Sequence, residues 1–348
     1  MTNISIILTA YNDEKTIRQC LESVIAQDNA DMKMECLVVD DCSTDETLAV
    51  ARRVVGGYQG NISFRIYRHK THHGLSRTRN TGLERAQGDY VMFVNATDLL
   101  RPGCMDVYTV YLMRYWDADV IAGNVFNVSA ERNLFGNLAS AMVLRGRGDV
   151  LCHEMLRSHL YLSACNKIAR RDIVLANHVM FDESMAYADI QWTVSLFGCV
   201  SSIALLPEVT YDFAPRRVGA IGIVEKWVNS LLASYAATCE NMLNKAPRPE
   251  ASDGDYYQHH QLFIYSVLSH ANQLIEEYNV GSQVKRELSN VRSRLMSQTR
   301  SDGQRILYLY LKQHDSMFRG MLKLPVFHTY NNIVNEFVSM LSAVVGQE

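Results

Sequence analysis

The chain has 348 residues, of which 48% are hydrophobic, enough for more than one compact lobe. Acidic and basic residues are mixed along the sequence and leave a net charge of −3, so no basic stripe suggests a nucleic-acid partner. No run contains the roughly 18 consecutive apolar residues that a membrane-spanning helix needs. The eight cysteines lack the Cys-x-x-Cys spacing of zinc sites, and we expect free thiols in a cytoplasmic protein.

Short apolar runs and amphipathic segments alternate through the first hundred residues. The apolar runs predict buried strands at 4–9, 36–39, 64–67 and 90–94. The amphipathic segments predict a first helix capped by Asp13 and further helices at 45–55 and 75–86. Strands separated by helices in this way are joined by right-handed crossovers, so we predict an α/β fold with a mainly parallel sheet flanked by helices.

The sequence pattern changes twice further along the chain. Residues 103–220 mix helical segments with apolar runs that resemble strands. From 221 to 348, long amphipathic stripes predict a separate helical C-terminal extension. Its aromatic stripes, for example Trp227 with Tyr235, are typical of a core or an interface. The last amphipathic segment, 333–345, could pack, form a homo-oligomer or contact a membrane surface.

Two carboxylates directly follow the second predicted strand. Asp40 and Asp41 stand at its carboxyl end, which is the edge where open α/β sheets bind ligands. The Ser-Thr pair that comes next allows another interpretation, in which the acids only form a turn and a helix cap. The fragment alone favours neither interpretation, so the choice depends on the rest of the chain.

Four ordered segments carry the most specific signal in the sequence. They are Thr9-Ala-Tyr-Asn12, Val39-Asp-Asp-Cys-Ser-Thr-Asp45, Gly74-Leu-Ser-Arg-Thr-Arg-Asn-Thr-Gly82 and Gly88-Asp-Tyr-Val-Met-Phe93. Together they resemble the family 2 glycosyltransferases, which are inverting enzymes of the GT-A fold that use nucleotide-diphosphate sugars. The resemblance is close over 4–102 and looser over 160–215. It makes 1–102 the nucleotide-sugar half, 103–220 the acceptor half and 221–348 a helical region of its own.

The resemblance implies a uridine pocket formed by Thr9, Tyr11 and Asp41. Tyr11 offers an aromatic face to the base, although it could also be a core aromatic, and Thr9 lies on the same side of the strand. Asp41 would accept the imide proton of uracil, which favours uridine over cytidine. Asp40 would support the backbone or the ribose. Arg79 completes this set, since its planar fork suits a phosphate or a carboxylate such as Asp41.

The segment after the fourth predicted strand departs from the family. The Asp-x-Asp motif that binds a divalent cation is replaced, with Asn95 and Thr97 at its two positions and Asp98 one residue beyond. We count Asn95 among the nucleotide-binding residues. Because Mn²⁺ and Mg²⁺ prefer anionic oxygen ligands, three outcomes stay open. Asp98 holds the metal together with the diphosphate, basic residues replace the metal, or the fold binds nucleotide with impaired catalysis.

The resemblance assigns the general base to Asp189. The family has a Glu-Asp pair at the start of a helix, and this chain has Ala188-Asp189 there. A helix amino terminus keeps a carboxylate ionised, which suits a group that deprotonates an acceptor. A simple helix cap at Asp189 is the alternative. Asp182 and Glu183, a few residues earlier, are reserve candidates for the base.

The sequence therefore predicts a glycosyltransferase that moves a sugar from a UDP-sugar to a glycan or glycolipid acceptor with inversion. A cation near Asp98, or arginines such as Arg216 and Arg217 on a predicted loop at 211–217, would balance the diphosphate charge. The eroded motifs leave a second reading, a catalytically weak nucleotide-binding or assembly protein. We expect a cytoplasmic location, where the C-terminal helices could reach the inner face of the membrane.

Overall fold

The computed structural model describes residues 3–28, 32–128, 131–133, 138–146, 163–185, 188–214, 221–245, 264, 268, 271, 275 and 279–298. These residues fall into two compact units. The first contains the described residues up to 214, and the second contains those from 221 onward. The predicted nucleotide-sugar and acceptor halves therefore lie together in the first unit.

Four parallel strands form the first half of the sheet. They are β1 (Asn3–Ala10), β2 (Lys33–Asp40), β3 (Ser63–Arg68) and β4 (Tyr90–Asn95). They are connected by α1 (Ile17–Ile25), α2 (Thr47–Gly56) and α3 (Leu75–Arg85). Strands β1, β2 and β4 are buried along most of their length, as expected for apolar strands with helices covering both faces. The α/β class is confirmed.

The order of these strands creates a topological switch point between β1 and β4. The chain places β2 and β3 on one side of β1 and then adds β4 on the other side. In open α/β sheets, the crevice outside the carboxyl ends of the strands at such a point binds ligands. Thr9 pairs with Asn95, and Ala10 pairs with Asp40, so polar residues from three strand ends meet there.

Mixed pairing extends the sheet through the second half of the unit. Its strands are β5 (Leu99–Leu100), β6 (Val120–Asn127), β7 (Arg132–Asn133), β8 (Met142–Arg145), β9 (Lys167–Arg170) and β10 (Ser202–Phe213). Its helices are α4 (Cys104–Arg114), α5 (Arg171–Ala176) and α6 (Asp189–Phe197). Strand β9 runs antiparallel to both β4 and β6, while β6 and β10 are parallel. The parallel character that the sequence predicts is thus concentrated in the half that carries the switch point.

Helix α1 begins later than its predicted cap. The carbonyl oxygen of Asp13 accepts the amides of Thr16 and Ile17, at 3.0 and 2.9 Å, and the helix proper starts at Ile17. The Asp13 carboxylate instead accepts the backbone amide of Tyr11 at 2.9 Å. Asp13 therefore closes the turn after β1, and the prediction that it caps α1 was wrong, because a short acidic side chain suits both positions equally well.

The second unit contains α7 (Ile221–Lys245) and α8 (Ser282–Gln298), which pack against each other. Tyr235 is buried in α7, as the predicted aromatic stripe requires, whereas the side chain of Trp227 and the segment 333–345 lie outside the described residues. Within the described part of the chain, no helix combines the length and apolarity needed to cross a bilayer. The cysteines described there are all free thiols.

Candidate active site

Several polar atoms at the switch point are buried without a hydrogen-bond partner among the described residues. They are Thr9 Oγ1, Asp40 Oδ1 and Arg79 Nε. An unpaired buried polar atom costs about 1–3 kcal/mol, so three in one crevice call for an explanation, and a polar ligand is one. The other oxygen of Asp40 accepts the amide of Ser43 at 3.2 Å, which is the backbone support that the sequence predicts.

The Asp41 carboxylate accepts three hydrogen bonds and lies beside a fourth polar group. Its Oδ1 accepts from His69 Nδ1 at 2.7 Å and from the His73 amide at 3.0 Å. Its Oδ2 accepts from the Gly74 amide at 2.7 Å and lies 2.8 Å from His72 Nδ1. Burial alone would raise the pKa of Asp41, but these donors outweigh it and lower the pKa below its ordinary value. Asp41 is therefore an ionised acceptor facing the loop before α3.

Gly74 makes this arrangement of donors possible. Its φ of +91° lies in a region that side chains rarely adopt, and it is the residue immediately before α3. The turn directs the amides of His73 and Gly74 at the same carboxylate. The histidines were not predicted to belong to the site, although a histidine-rich run directly before a helix-starting glycine was the signal available.

Tyr11 stands directly beyond the end of β1 with its ring against a histidine. The Tyr11 and His72 rings are stacked, with centroids 4.0 Å apart and an interplanar angle of 29°. The phenol ring is half-buried at the rim of the crevice, so it is not a core aromatic. Its position next to Asp41 agrees with the predicted base pocket.

Arg79 is buried in α3 and bridges the two halves of the unit. Its Nη1 donates to Asp189 Oδ2 at 2.7 Å, and its Nη2 donates to Asn95 Oδ1 at 3.1 Å. The guanidinium lies over the Phe181 ring, 4.9 Å from its centroid. Asp41, which we considered as its carboxylate partner, is held by the histidine loop instead, so that pairing was wrong. The planar fork of Arg79 serves one carboxylate and one amide oxygen at once.

Asp189 is the first residue of α6 and is held by the turn before β9. Its Oδ1 accepts from Ser163 Oγ and from the Ala164 amide, both at 3.0 Å. Burial raises the pKa of the Asp189 carboxyl, but the Arg79 charge and these hydrogen bonds lower it overall, so the group is ionised at neutral pH. Because its oxygens bind Arg79 and this turn, Asp189 does more than cap its own helix. Its side chain keeps 22% exposure at the crevice.

Lys167 is a buried cation that fixes the same turn. Its Nζ donates to the carbonyl oxygens of Ser163 and Cys165 and to Asn166 Oδ1. Burial lowers the pKa of Lys167 to about 7. Asn166 takes a left-handed φ of +67°, which the short side chains of Asn and Asp tolerate best. Sequence analysis did not single out Lys167, although a lysine inside an apolar strand run is an anomaly that could have found it.

The residues at the predicted metal position do not fit a divalent cation. Asp98 is fully buried, and its oxygens accept from Tyr211 Oη at 2.7 Å, from the Ala214 amide at 2.9 Å, from Asn95 Nδ2 at 2.9 Å and from Thr97 Oγ1 at 3.4 Å. A carboxylate has about four lone-pair positions, and all are used. Burial also raises the pKa of the Asp98 carboxyl.

The assignment of Asp98 to a metal is thus not supported by its geometry. Asn95 and Thr97 add only neutral oxygens, while Mn²⁺ and Mg²⁺ prefer carboxylates. Across the described residues, no group of three or more His, Cys, Asp or Glu side chains is arranged to hold an ion. Asp98 instead joins the end of β4 to the end of β10, which is a structural role.

The part of the chain that carries most of this site matches a known protein family. The family model described as Glycosyl transferase family 2 matches residues 5–175, which includes all four parallel strands and their polar ends. This region of the chain, residues 5–175, belongs to glycosyl transferase family 2. The family resemblance that the sequence segments predicted is confirmed.

Curated relatives within the family differ in length from this chain. Poly(ribitol-phosphate) beta-N-acetylglucosaminyltransferase TarS of Staphylococcus aureus (strain MW2) is 26% identical over 63% of this chain and 36% of its own length. The teichoic acid poly(glycerol phosphate) polymerase of Staphylococcus epidermidis is 30% identical over 73% of this chain and 34% of its own length. The uncharacterized glycosyltransferase YibD of Escherichia coli is 28% identical over 83% of this chain and 88% of its own length. This chain therefore spans about a third of the length of each of the first two relatives.

Solved structures of family 2 proteins share the fold. The crystal structure of S. aureus TarS 1-349 in complex with UDP has a TM-score of 0.65 and 19% identity, covering 90% of this chain and 88% of that chain. The same TarS segment in complex with UDP-GlcNAc has a TM-score of 0.61 over 89% of this chain and 92% of that chain. At such identities the likeness establishes the architecture, and it confirms the predicted GT-A-type fold.

The remaining predicted residues lie away from this family 2 site or outside the described chain. The Glu183 carboxylate accepts from Arg77 and Asn80 at the surface, and Asp182 accepts the Ser184 amide, so neither reserve candidate joins Asp189. The segment from 211 continues strand β10 as far as Phe213, and the prediction of a loop there was wrong over those residues. Arg216 and Arg217 lie outside the described residues.

Proposed function

We propose that this chain transfers the sugar of a UDP-sugar to a hydroxyl of a glycan or glycolipid with inversion at the anomeric carbon. One observation carries the proposal: the fold brings Asp189 from the second half to Arg79 and Asn95 at the switch point. The UDP and UDP-GlcNAc complexes of the TarS neighbour support a uridine donor. The names of two relatives, a poly(ribitol-phosphate) beta-N-acetylglucosaminyltransferase and a teichoic acid poly(glycerol phosphate) polymerase, support a polymeric acceptor.

In the donor site, the base would lie on Tyr11 with its imide proton directed to Asp41. The unpaired Thr9 Oγ1 and Asp40 Oδ1 lie at the neighbouring strand ends, where they can serve the rest of the nucleoside. Arg79 Nε is likewise buried without a partner, and it suits an oxygen of the diphosphate. Each of these atoms would gain the hydrogen bond that it lacks.

In the reaction, the acceptor oxygen attacks the anomeric carbon from the face opposite UDP. Its proton passes to Asp189, the new carbon–oxygen bond forms, and the bond to UDP breaks with its electron pair leaving on the diphosphate. Asp189 suits this task because it is ionised, partly exposed and fixed in orientation by Arg79 and the 163–166 turn. Arg79 keeps the Asp189 charge compensated until the proton arrives.

No step of this proposal uses a divalent cation, because Asn95, Thr97 and Asp98 do not offer a cation a suitable set of oxygens. The negative charge that builds on the diphosphate is instead matched by arginines. We propose that Arg79 contributes through its Nε and that Arg216 and Arg217, outside the described residues, assist it. Addition of Mn²⁺ should then leave the affinity for UDP unchanged.

Calorimetric titration with UDP, followed by a UDP-release screen of UDP-sugars against glycan and glycolipid acceptors, tests the proposal. Replacing Tyr11 by Ala should weaken UDP binding about tenfold or more, since base stacking on an aromatic ring contributes about 1–3 kcal/mol. Tyr115→Ala, on the far end of α4, is the matched control and should bind UDP normally. Absence of UDP binding would contradict the donor assignment, and binding without release from any donor would favour a nucleotide-binding protein.

A further inference from the structure

His72 contacts both of the groups that we assign to base recognition. Its ring stacks on Tyr11 with a centroid distance of 4.0 Å, and its Nδ1 lies 2.8 Å from Asp41 Oδ2. We propose, on the basis of the proposed function, that the His72 imidazole occupies the position of the nucleobase when no nucleotide is bound. A nucleotide then binds only when the imidazole leaves Tyr11 and Asp41, so His72 sets the affinity and the base preference of the donor site.

The hydrogen bonds of Asp41 determine which donor can leave. About four lone-pair positions exist on a carboxylate; hydrogen bonds from His69, His73 and Gly74 use three of them, and His72 Nδ1 lies 2.8 Å from Oδ2, beside the fourth. The amides of His73 and Gly74 are fixed by the start of α3. His69 is also held, because its Nε2 lies 2.9 Å from Thr81 Oγ1 and its side chain is only 11% exposed. An incoming N–H group must therefore replace His72, whose side chain is 51% exposed.

The stacking geometry leads to the same conclusion. A ring at 4.0 Å occupies one face of Tyr11, and a base cannot lie on that face at the same time. Imidazole and uracil present the same two features to this pocket, a flat ring for Tyr11 and a ring N–H for Asp41. Exchange of the imidazole for uracil would give the fourth acceptor position of Asp41 a donor. Cytosine has no proton on the equivalent ring nitrogen, so the exchange would leave one position empty.

Competition of this kind lowers the apparent affinity for the nucleotide. The apparent affinity for the nucleotide is proportional to the fraction of molecules in which His72 has moved away from Tyr11 and Asp41. Removing the imidazole should therefore tighten binding, because Tyr11 is uncovered and Asp41 has an acceptor position to fill. A histidine that formed a wall of the base pocket would have the opposite effect, since its loss would remove a contact.

Calorimetric titration of the full chain with UDP and CDP tests the proposal. His72→Ala should tighten UDP binding by about three- to tenfold while CDP gains less. The control His178→Asn removes an exposed histidine after α5, outside the candidate site, and should leave the UDP affinity unchanged. Unchanged or weaker UDP binding by His72→Ala would overturn the proposal. Absence of UDP binding in both the wild type and His72→Ala would instead contradict the proposed function.

A second readout keeps the test independent of the variant. In protein labelled with ¹⁵N-histidine, saturating UDP should move the ring signals of His72 towards those of a free imidazole, while His69 stays hydrogen-bonded. Ring signals of His72 that do not change at saturation would overturn the proposal even if affinity changed in the variant.

Discussion

At the scale of single residues, Arg79 connects the parts of the candidate site. It is 2% exposed, and its guanidinium joins Asn95 of β4 to Asp189 of α6, which lies 110 positions after Arg79 in the sequence. Burying such a pair is expensive, and removing one partner leaves the other charge uncompensated. The pair therefore links the stability of the unit to the orientation of its proposed base.

Arg79→Met should lower the free energy of unfolding by about 3 kcal/mol, because it leaves the largely buried Asp189 without its counter-charge. Arg77→Met on the same helix is the matched control. Arg77 forms its ion pairs with Glu84 and Glu183 at the surface, where such pairs contribute at most about 1 kcal/mol. Denaturant unfolding of both variants measures the difference, and equal losses would contradict a central role for the buried pair.

Lys167 predicts a pH dependence of stability. Its pKa is about 7 when folded and 10.5 in the ordinary reference, so between these values the unfolded chain holds a proton that the folded chain has released. Stability should therefore rise with pH across this window, by up to about 1.4 kcal/mol per unit, and be insensitive to this group below pH 7. Lys167→Met should lose that rise in pH-dependent unfolding experiments. Parallel curves for the variant and wild type would contradict a buried, titrating Lys167.

The sequence could identify several site residues but not their partners. Thr9, Tyr11, Asp41 and Arg79 stand in recognisable segments, so their placement at strand ends followed from local patterns. Asp98 could not be judged in the same way, because its donor Tyr211 lies 113 positions away. Whether a carboxylate is free for a ligand depends on such distant donors, which a pattern of residue types does not contain.

At the scale of elements, the strand ends of β1 and β2 carry strained residues. Asn12 and Cys42 have φ values of +53° and +63°, a left-handed conformation that is uncommon outside glycine. They directly follow the side chains of Tyr11 and Asp41, and residues of this kind cluster at functional sites. The β-branched runs predicted the strands themselves, but neither the left-handed turns nor the turn at Asp13 followed from periodicity.

Helix α3 approaches β1 closely at Gly82. This contact determines how near to the sheet the helix, and with it Arg79, can lie. A Cβ at Gly82 would overlap Ile7 Cγ2, a buried β-branched side chain of β1. Gly82→Ala should therefore destabilise the unit by about 1–3 kcal/mol. Gly56→Ala, at the end of α2, meets no atom within 4 Å and should be neutral or stabilise by up to about 1 kcal/mol. Thermal unfolding compares them, and equal effects would contradict the close packing.

At the scale of the whole molecule, the alternation of strands and helices was enough to predict the α/β class and the parallel half. The antiparallel insertion of β9 between β4 and β6 was not predictable, because it depends on pairing between segments far apart in sequence. That insertion nonetheless builds the site. The 163–166 turn before β9 supplies the hydrogen bonds that hold Asp189 beside Arg79.

The central claim is that Asp189 is the base of a sugar transfer from a UDP-sugar. The most direct measurement is the rate of UDP release by Asp189→Asn with the donor identified by the screen, alongside its Kd for UDP. We predict a loss in kcat of about 10²–10⁴-fold with UDP binding retained, since the base acts on the acceptor and not on the nucleotide. Asp172→Asn, an exposed residue of α5, should keep wild-type rates. Wild-type turnover by Asp189→Asn would contradict the account.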